Sequence, residues 1–236
     1  MNLSTIIPVY IENPHQLELL NRTLDSISQQ SFHPIEVIVS DNSAGGIWAQ
    51  KVKEMAQSKT INVKYFANLN LFGPANNTNY AAEIAKAELI HILHQDDFIL
   101  NKKLYEEVSE VFSQEKNIWL IAQGKVGERV LNSKFDFTTK FGFNELGGPS
   151  GLFVLKQNYI SFNPKYRMLF DVINYHEYYL KMGEPYILKG VNIHFHVHEY
   201  QLSNKITSKE VLLELSDFIE EYGIPSRVIK RTVKSI

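Results

Sequence analysis

Leu89-Ile90-His91-Ile92-Leu93-His94-Gln95-Asp96-Asp97 is the stretch that decides the fold. Its first five residues form a short apolar run of strand length, and the run stops at four polar residues, two of them adjacent carboxylates. Upstream, Ser4–Tyr10, Ile35–Ser40 and Asn62–Phe66 read as three more strands. Between them lie helical patterns. Asn13-Pro14 supplies an N-cap and a proline for the first turn, and Leu17, Leu20, Leu24 and Ile27 follow as one apolar stripe. Trp48, Val52 and Met55 mark a second helix, and the alanine-rich stretch 75–87 a third. Downstream come a helix through Leu104, Val108 and Phe112, then strands at Ile118–Ala122, Leu152–Leu155 and Val191–Val197, with a helix over Phe170–Met182. Strands alternating with helices at this spacing predict an α/β fold: a Rossmann-like, mostly parallel central sheet with helices on both faces and a smaller mixed second half. Residues 124–148, with Gly142, Gly147 and Gly148, read as loops or hairpins over a cleft.

The 236 residues contain no cysteine, which excludes disulfides, thiolate metal sites and cysteine nucleophiles. A formal charge of −2 gives no general electrostatic reason to bind nucleic acid. Met1 to Tyr10 lacks a basic leader region, and no run reaches the length of a membrane span, so a soluble, cytoplasmic protein is expected. Val211, Leu215, Phe218 and Tyr222 form a last helical stripe, stopped by Gly223 and Pro225. Segment 208–222 is acidic, whereas 223–236 carries Arg227, Lys230, Arg231 and Lys234 with no acid. The two could pair, or the basic end could meet an anionic surface such as the inner face of a membrane.

Several side chains could carry chemistry. In open parallel sheets ligands bind outside the carboxyl ends of the strands, where Asp96 and Asp97 fall. Adjacent carboxylates are best tolerated beside a cation such as Mg²⁺ or Mn²⁺; the alternative of equal weight is that Asp97 caps a turn and Asp96 is solvated. Asp41, at the end of the second strand, could accept from a ribose or base, although an Asx-turn with Asn42 and Ser43 accounts for that triplet by itself. His194, His196 and His198 share one strand face, with Ile193, Phe195 and Val197 opposite, so at least one imidazole is expected to serve a ligand, against the reading of an ordinary polar face. Asp171 and Glu177 lie six apart and do not form a carboxylate pair. Tyr175, Tyr178 and Tyr179 fit a core better than a sugar platform. Glycine-rich phosphate cradles are missing.

Taken in order, these segments resemble the family 2 glycosyltransferases with the GT-A fold. Ser4-Thr5-Ile6-Ile7-Pro8-Val9-Tyr10 is similar to the family's first strand, Gln29-Gln30-Ser31-Phe32 to its "S-x-x-x-Q-(S/T)-x" stretch, and Glu36–Ser43 to its second strand and turn. Gly73-Pro74, Asn79 and Ala85–Glu88 continue the likeness to His94-Gln95-Asp96-Asp97, which stands where the family commonly writes D-x-D-D. His94 replaces the first acid, and Asn77-Thr78-Asn79 stands for the usual A-R-N, so a nucleotide-binding arginine is missing. The likeness covers the first 100 residues well and runs more faintly to about residue 205. There, Gly148-Pro149-Ser150 is similar to the start of the acceptor loop, Tyr166–Asp171 to the segment bearing the catalytic aspartate, and His196–Ser203 to the late element near the pyrophosphate.

The resemblance implies Asp171 as catalytic base; Pro8, Tyr10, Glu12, Asp41, Asn79, His94, Gln95 and Asp96 at the nucleotide sugar; and Asp96, Asp97 and His198 at a divalent cation. It implies an inverting transferase that moves a sugar from a nucleotide-diphospho-sugar, UDP-linked as the first expectation, to a hydroxyl of a glycan or lipid-linked acceptor in bacterial surface polysaccharide synthesis. Residues 1–205 would form one catalytic domain, 1–100 holding the donor and 101–205 the acceptor, with 206–236 a helical extension. A nucleotidyltransferase is the rival enzyme, but it would show a glycine- and lysine/arginine-rich loop after the first strand, where Ile11-Glu12-Asn13 stands. A non-catalytic nucleotide-sugar-binding module is the other alternative.

Overall fold

The computed structural model describes residues 1–43, 46–135 and 144–223. Gly45, Gly142, Pro225 and the basic segment with Arg227, Lys230, Arg231 and Lys234 lie outside them. Strands β1 (Leu3–Val9), β2 (Glu36–Asp41), β3 (Val63–Ala67) and β4 (Leu89–Ile92) alternate with helices α1 (Pro14–Ser28), α2 (Gly46–Ser58) and α3 (Pro74–Ile84). After them come β5 (Phe98–Ile99), α4 (Leu104–Gln114), β6 (Trp119–Val126), β7 (Arg129–Val130), β8 (Leu152–Leu155), α5 (Phe170–Met182), β9 (Tyr186–Phe195) and α6 (Ser208–Tyr222). In one sheet the order is β3-β2-β1-β4-β8-β6-β9-β5, with β7 pairing β6. The β3-β2-β1-β4 half is parallel. Beyond β4 it is mixed: β8 runs antiparallel to both neighbours, whereas β6 and β9 are parallel.

Each central strand is apolar on both faces, as a doubly covered sheet requires. Leu3, Ile7, Val37, Val39 and Leu120 join a core with Leu20 and Leu24 of α1 and Val108 and Phe112 of α4. Ile6, Ile38, Ile90 and Ile121 face the other way, against Ala81 and Ala82 of α3, Ile173 and Tyr178 of α5, and Phe218 of α6. Tyr175 and Tyr178 are core residues here, stacking on Trp119 at 5.7 and 5.3 Å.

Two elements end before the expected residue, while β6 runs on past Ala122 to Val126 and the last strand begins at Tyr186, ahead of Val191. The alanine-rich helix stops at Ile84 and not at Ala87, because the Lys86 N–H donates to Glu36 Oε1 (2.6 Å) and the Ala87 N–H to Ser4 Oγ (3.1 Å). Lys156 Nζ meanwhile donates to the freed carbonyls of Glu83 and Ala85. The last strand runs Tyr186–Phe195, so His196, Val197 and His198 lie past its end and Val197 is 60% exposed. The apolar face opposite the histidines is therefore shorter than the alternation suggests. Gly124 lets β6 meet β9 closely: a Cβ there would stand 2.2 Å from the Ile193 carbonyl oxygen.

Candidate active site

The chain runs from β1 to β2 and β3 on one side and returns to β4 on the other, so a crevice opens beyond the carboxyl ends of β1 and β4. A cavity of about 1020 Å³ occupies it, lined by Pro8 and Tyr10 after β1, Asn42 after β2, His94 to Asp97 after β4, Asn144 and Gly147, and His196 and His198. Gln95 ties two of these segments together: its Oε1 accepts the Tyr10 N–H (2.7 Å) and its Nε2 donates to the Tyr10 carbonyl (3.0 Å). Two residues of α1 hold the 95–97 loop from behind. Thr23 Oγ1 lies 2.9 Å from the Gln95 carbonyl and 2.6 Å from that of Asp97, and Arg22 Nη2 donates to the Asp96 carbonyl at 3.3 Å.

The two aspartates occupy opposite electrostatic situations. Burial would raise the Asp96 carboxyl, but a 2.9 Å hydrogen bond to His198 Nε2 and the nearby imidazoles outweigh it and hold the group below its ordinary value. Asp97 is pushed well up, first by burial and then by the Asp96 charge. Its Oδ2 accepts from Ser150 Oγ and its Oδ1 from the His196 N–H (2.7 Å), so both oxygens are committed. His94 is depressed by burial, and its Nε2 is buried with no hydrogen-bond partner among the described residues. One ligand atom each from His94, Asp96 and Asp97 falls within a 4.8 Å group. An orphaned imidazole nitrogen beside an ionised carboxylate fits a divalent cation.

The remaining expected site residues divide into two sets. Asp41 does not reach the cavity: its Oδ1 accepts the Ser43 N–H (2.7 Å) and its Oδ2 the Tyr65 hydroxyl (3.0 Å), which is the Asx-turn arrangement with one added partner. Burial raises its carboxyl. Asn79 also faces the protein, bonding the Phe162 backbone and the Tyr159 hydroxyl. Glu12 sits at the rim, where it accepts from Lys205 Nζ (2.7 Å) and the Tyr10 hydroxyl (3.1 Å). His198 binds Asp96 and lies outside the 4.8 Å group. Asp171, in the first turn of α5, is half-buried behind the lining residue Asn144, whose Nδ2 donates to its Oδ2 at 2.8 Å. Burial pushes this carboxyl up to about 6, against the opposing Val172 N–H.

Some contributors take roles that their own segments do not signal. Asn77 replaces any basic residue beneath the crevice: it accepts from Ser40 Oγ (2.5 Å) and Asn68 Nδ2 (3.1 Å) and donates to the Ser40 carbonyl (2.8 Å). Ser150 gathers the loop, because its Oγ also accepts the His94 N–H (2.9 Å) and its carbonyl contacts His91 Nε2 (2.9 Å). Only the convergence of distant strands makes these residues neighbours.

The Glycosyl transferase family 2 profile matches residues 4–174. The chain belongs to that family. A curated relative, the GalNAc(5)-diNAcBac-PP-undecaprenol β-1,3-glucosyltransferase of Campylobacter jejuni, is 32% identical over 103 residues, 43% of this chain and 32% of its own length. This family member thus spans about a third of that relative. Among solved structures, S. aureus TarS 1-349 in complex with UDP-GlcNAc superposes with a TM-score of 0.67 at 18% identity, covering 91% of this chain and 64% of that one. The mannosyltransferase PcManGT from Pyrobaculum calidifontis, in complex with GDP-Man and Mn²⁺, gives 0.64 at 16%, covering 85% and 58%. These likenesses establish the GT-A fold. Among the described residues, no helix is long and apolar enough to cross a membrane.

Proposed function

We propose that this glycosyltransferase is metal-dependent and inverting, and moves a hexose from a nucleoside-diphosphate sugar, UDP-linked, to a hydroxyl of a glycan or lipid-linked acceptor in bacterial surface polysaccharide synthesis, on the cytoplasmic side of the membrane. The observation that carries this reading is the pairing of an ionised Asp96 and a His94 nitrogen unpartnered among the described residues with a half-buried carboxyl, Asp171, held by Asn144 beside the same cavity. The relative acting on an undecaprenol-linked glycan supports the acceptor class, and the neighbours with UDP-GlcNAc and with GDP-Man and Mn²⁺ support the donor class.

Pro8, Tyr10 and Asn42 line the end assigned to the nucleotide; Asp41 and Asn77 act from below by fixing the loops that form it. His94 and Asp96 would hold Mg²⁺ or Mn²⁺, which supplies positive charge to the departing diphosphate. Asp97 bridges the loop to the 149–151 turn and to His196, and His198 keeps Asp96 ionised and aimed. Asp171 takes the proton of the acceptor hydroxyl as its oxygen bonds to the anomeric carbon, while the bond from that carbon to the diphosphate oxygen breaks and its electron pair leaves with the nucleoside diphosphate. A carboxyl near 6 is mostly ionised at neutral pH and still basic enough to accept that proton. Residues 1–205 are read as the catalytic unit and 206–236 as an extension.

The test is release of nucleoside diphosphate from UDP-glucose, UDP-N-acetylglucosamine and GDP-mannose, with Mn²⁺ and with EDTA. Manganese-dependent release from one of them is expected. Tight binding with no release from any donor, with or without an acceptor extract, would turn the reading to a binding module.

A further inference from the structure

We infer that α6 braces the catalytic helix, and that Glu214 is the positioning residue that sets the first turn of α5, and with it Asp171. This inference rests on the reading of Asp171 as the base. The family match ends at residue 174, so α6 lies beyond the segment common to the family profile.

Helix α5 opens without a local cap: Leu169 stands at the N-cap position and makes no side-chain hydrogen bond. The first donors of a helix, and those of the turn before it, need an acceptor from elsewhere. Glu214 provides it across 45 residues of chain or more. Its Oε1 accepts the Arg167 N–H (2.8 Å), and its Oε2 accepts the N–H groups of Met168 and Leu169, both at 3.0 Å. One carboxylate therefore collects three consecutive backbone donors at the positive end of the helix, where a negative charge is also favoured by the helix dipole. Asp171 is two residues further on, with its Oδ1 on the Val172 N–H and its Oδ2 on Asn144.

Glu214 is itself fixed at both ends of α6. At the N-terminus, Thr207 and Glu210 form a reciprocal capping box, and the free oxygen of Glu210 reaches Arg167 Nη1 at 3.1 Å. Toward the C-terminus, Phe218 is buried against His176 with ring centroids 5.6 Å apart, and the Tyr222 hydroxyl donates to Glu177 at 2.8 Å. Four of the five acids of α6, all but Glu220, thus have partners in 165–169, Lys165–Asp217 (3.1 Å) and Tyr166–Glu221 (2.8 Å) included. This is where the negative charge of segment 208–222 goes. An acidic helix face that would otherwise read as solvated serves as a mould for the turn that launches the base.

The experiment compares wild type, Glu214→Gln, Glu214→Asp, Asp217→Asn and Asp171→Asn. Amide hydrogen exchange, UDP affinity with Mn²⁺, and the pH profile of UDP release from UDP-glucose are measured on each. Glutamine puts an amide donor against backbone donors, so exchange over 169–173 should rise while the 8–12 and 94–98 segments stay protected. UDP affinity should hold within about twofold, and release should fall by about 10- to 100-fold, the cost of misplacing a catalytic group by roughly an ångström. The acid limb of the profile should also move, because the surroundings of Asp171 change. Asp217→Asn, which breaks an exposed pair on the same interface, should leave release and its pH profile unchanged. If Glu214→Gln fails to fold, Glu214→Asp, one methylene shorter with its charge kept, must show the same loss at unchanged UDP affinity. Unaltered exchange over 169–173, or a full rate with an unmoved acid limb, overturns the inference. A fully active Asp171→Asn instead removes the functional reading beneath it.

Discussion

Replacing Asp171 with asparagine should stabilise the protein while disabling it, and the size of the gain follows from its surroundings. The carboxyl rises from 3.8 to about 6 because burial disfavours its charge. Holding it ionised in the folded state above pH 6 therefore costs up to about 3 kcal/mol. Asparagine is neutral and keeps one acceptor oxygen, so it retains the bond from Asn144 or that from Val172 but not both, losing about 1 kcal/mol. The net gain at pH 8 is about 2 kcal/mol, which for a chain of this size raises Tm by about 4–8 °C. The gain fades with falling pH in a defined way. As pH falls through 6 the wild-type group takes up a proton in the folded state and its cost fades, and by pH 4.5 only about 1 kcal/mol remains, cancelling the gain. Thermal melts of both proteins at pH 8 and 4.5, with UDP affinity by calorimetry and UDP release from UDP-glucose, make the assay. Donor affinity should be unchanged and release should drop about 100-fold or more. A variant that melts below wild type at pH 8 and releases UDP at the full rate would show that Asp171 only supports its helix turn.

Asp96→Asn should abolish manganese-dependent UDP binding, since a hard dication needs anionic oxygen; equal wild-type binding in EDTA would refute the metal assignment. Asn77→Ala leaves the Ser40 and Asn68 side chains and two carbonyls without their partner, and should lower stability by about 2–4 kcal/mol in denaturant melts, with a wild-type midpoint counting against the buried network. Gly124→Ala drives a methyl into the Ile193 carbonyl, so β6 and β9 must separate; a loss of about 2 kcal/mol or more is expected by urea unfolding, and an unchanged midpoint would mean that the strands part freely.

Much of the fold is written locally. Asn13 caps α1 through a 3.0 Å bond to the Gln16 N–H, as the Asn-Pro pair predicts, and α5 keeps the expected bounds Phe170–Met182. The missed boundaries are those decided by distant partners. The helix after Pro74 has alanines enough to continue, but its next backbone donors are claimed by Glu36 and Ser4 on neighbouring strands. The alternation through Val197 continues past the strand because the His196 N–H turns to Asp97 and not to a sheet neighbour. In the site, the Asp96-Asp97 pair and the His198 position were legible from spacing and resemblance. The roles of Arg22, Asn77, Ser150 and Glu214 were not, because each acquires its role from atoms 37 to 74 residues away.

The knot at Asp97 bears on the order in which this chain folds. Its carboxylate and carbonyl tie together partners 53, 74 and 99 residues distant, the last of them His196. Contacts of such separation form late, after the loop-closure entropy has been met by other packing. A nascent chain emerging from the ribosome can assemble β1 to β4 early, but the loop bearing Asp96 stays unanchored on one side until His196 and His198 have been synthesised. Competence to hold a nucleotide sugar should therefore appear abruptly once His196 and His198 have emerged, and stalled chains ending before residue 190 should retain protected strands while binding no UDP.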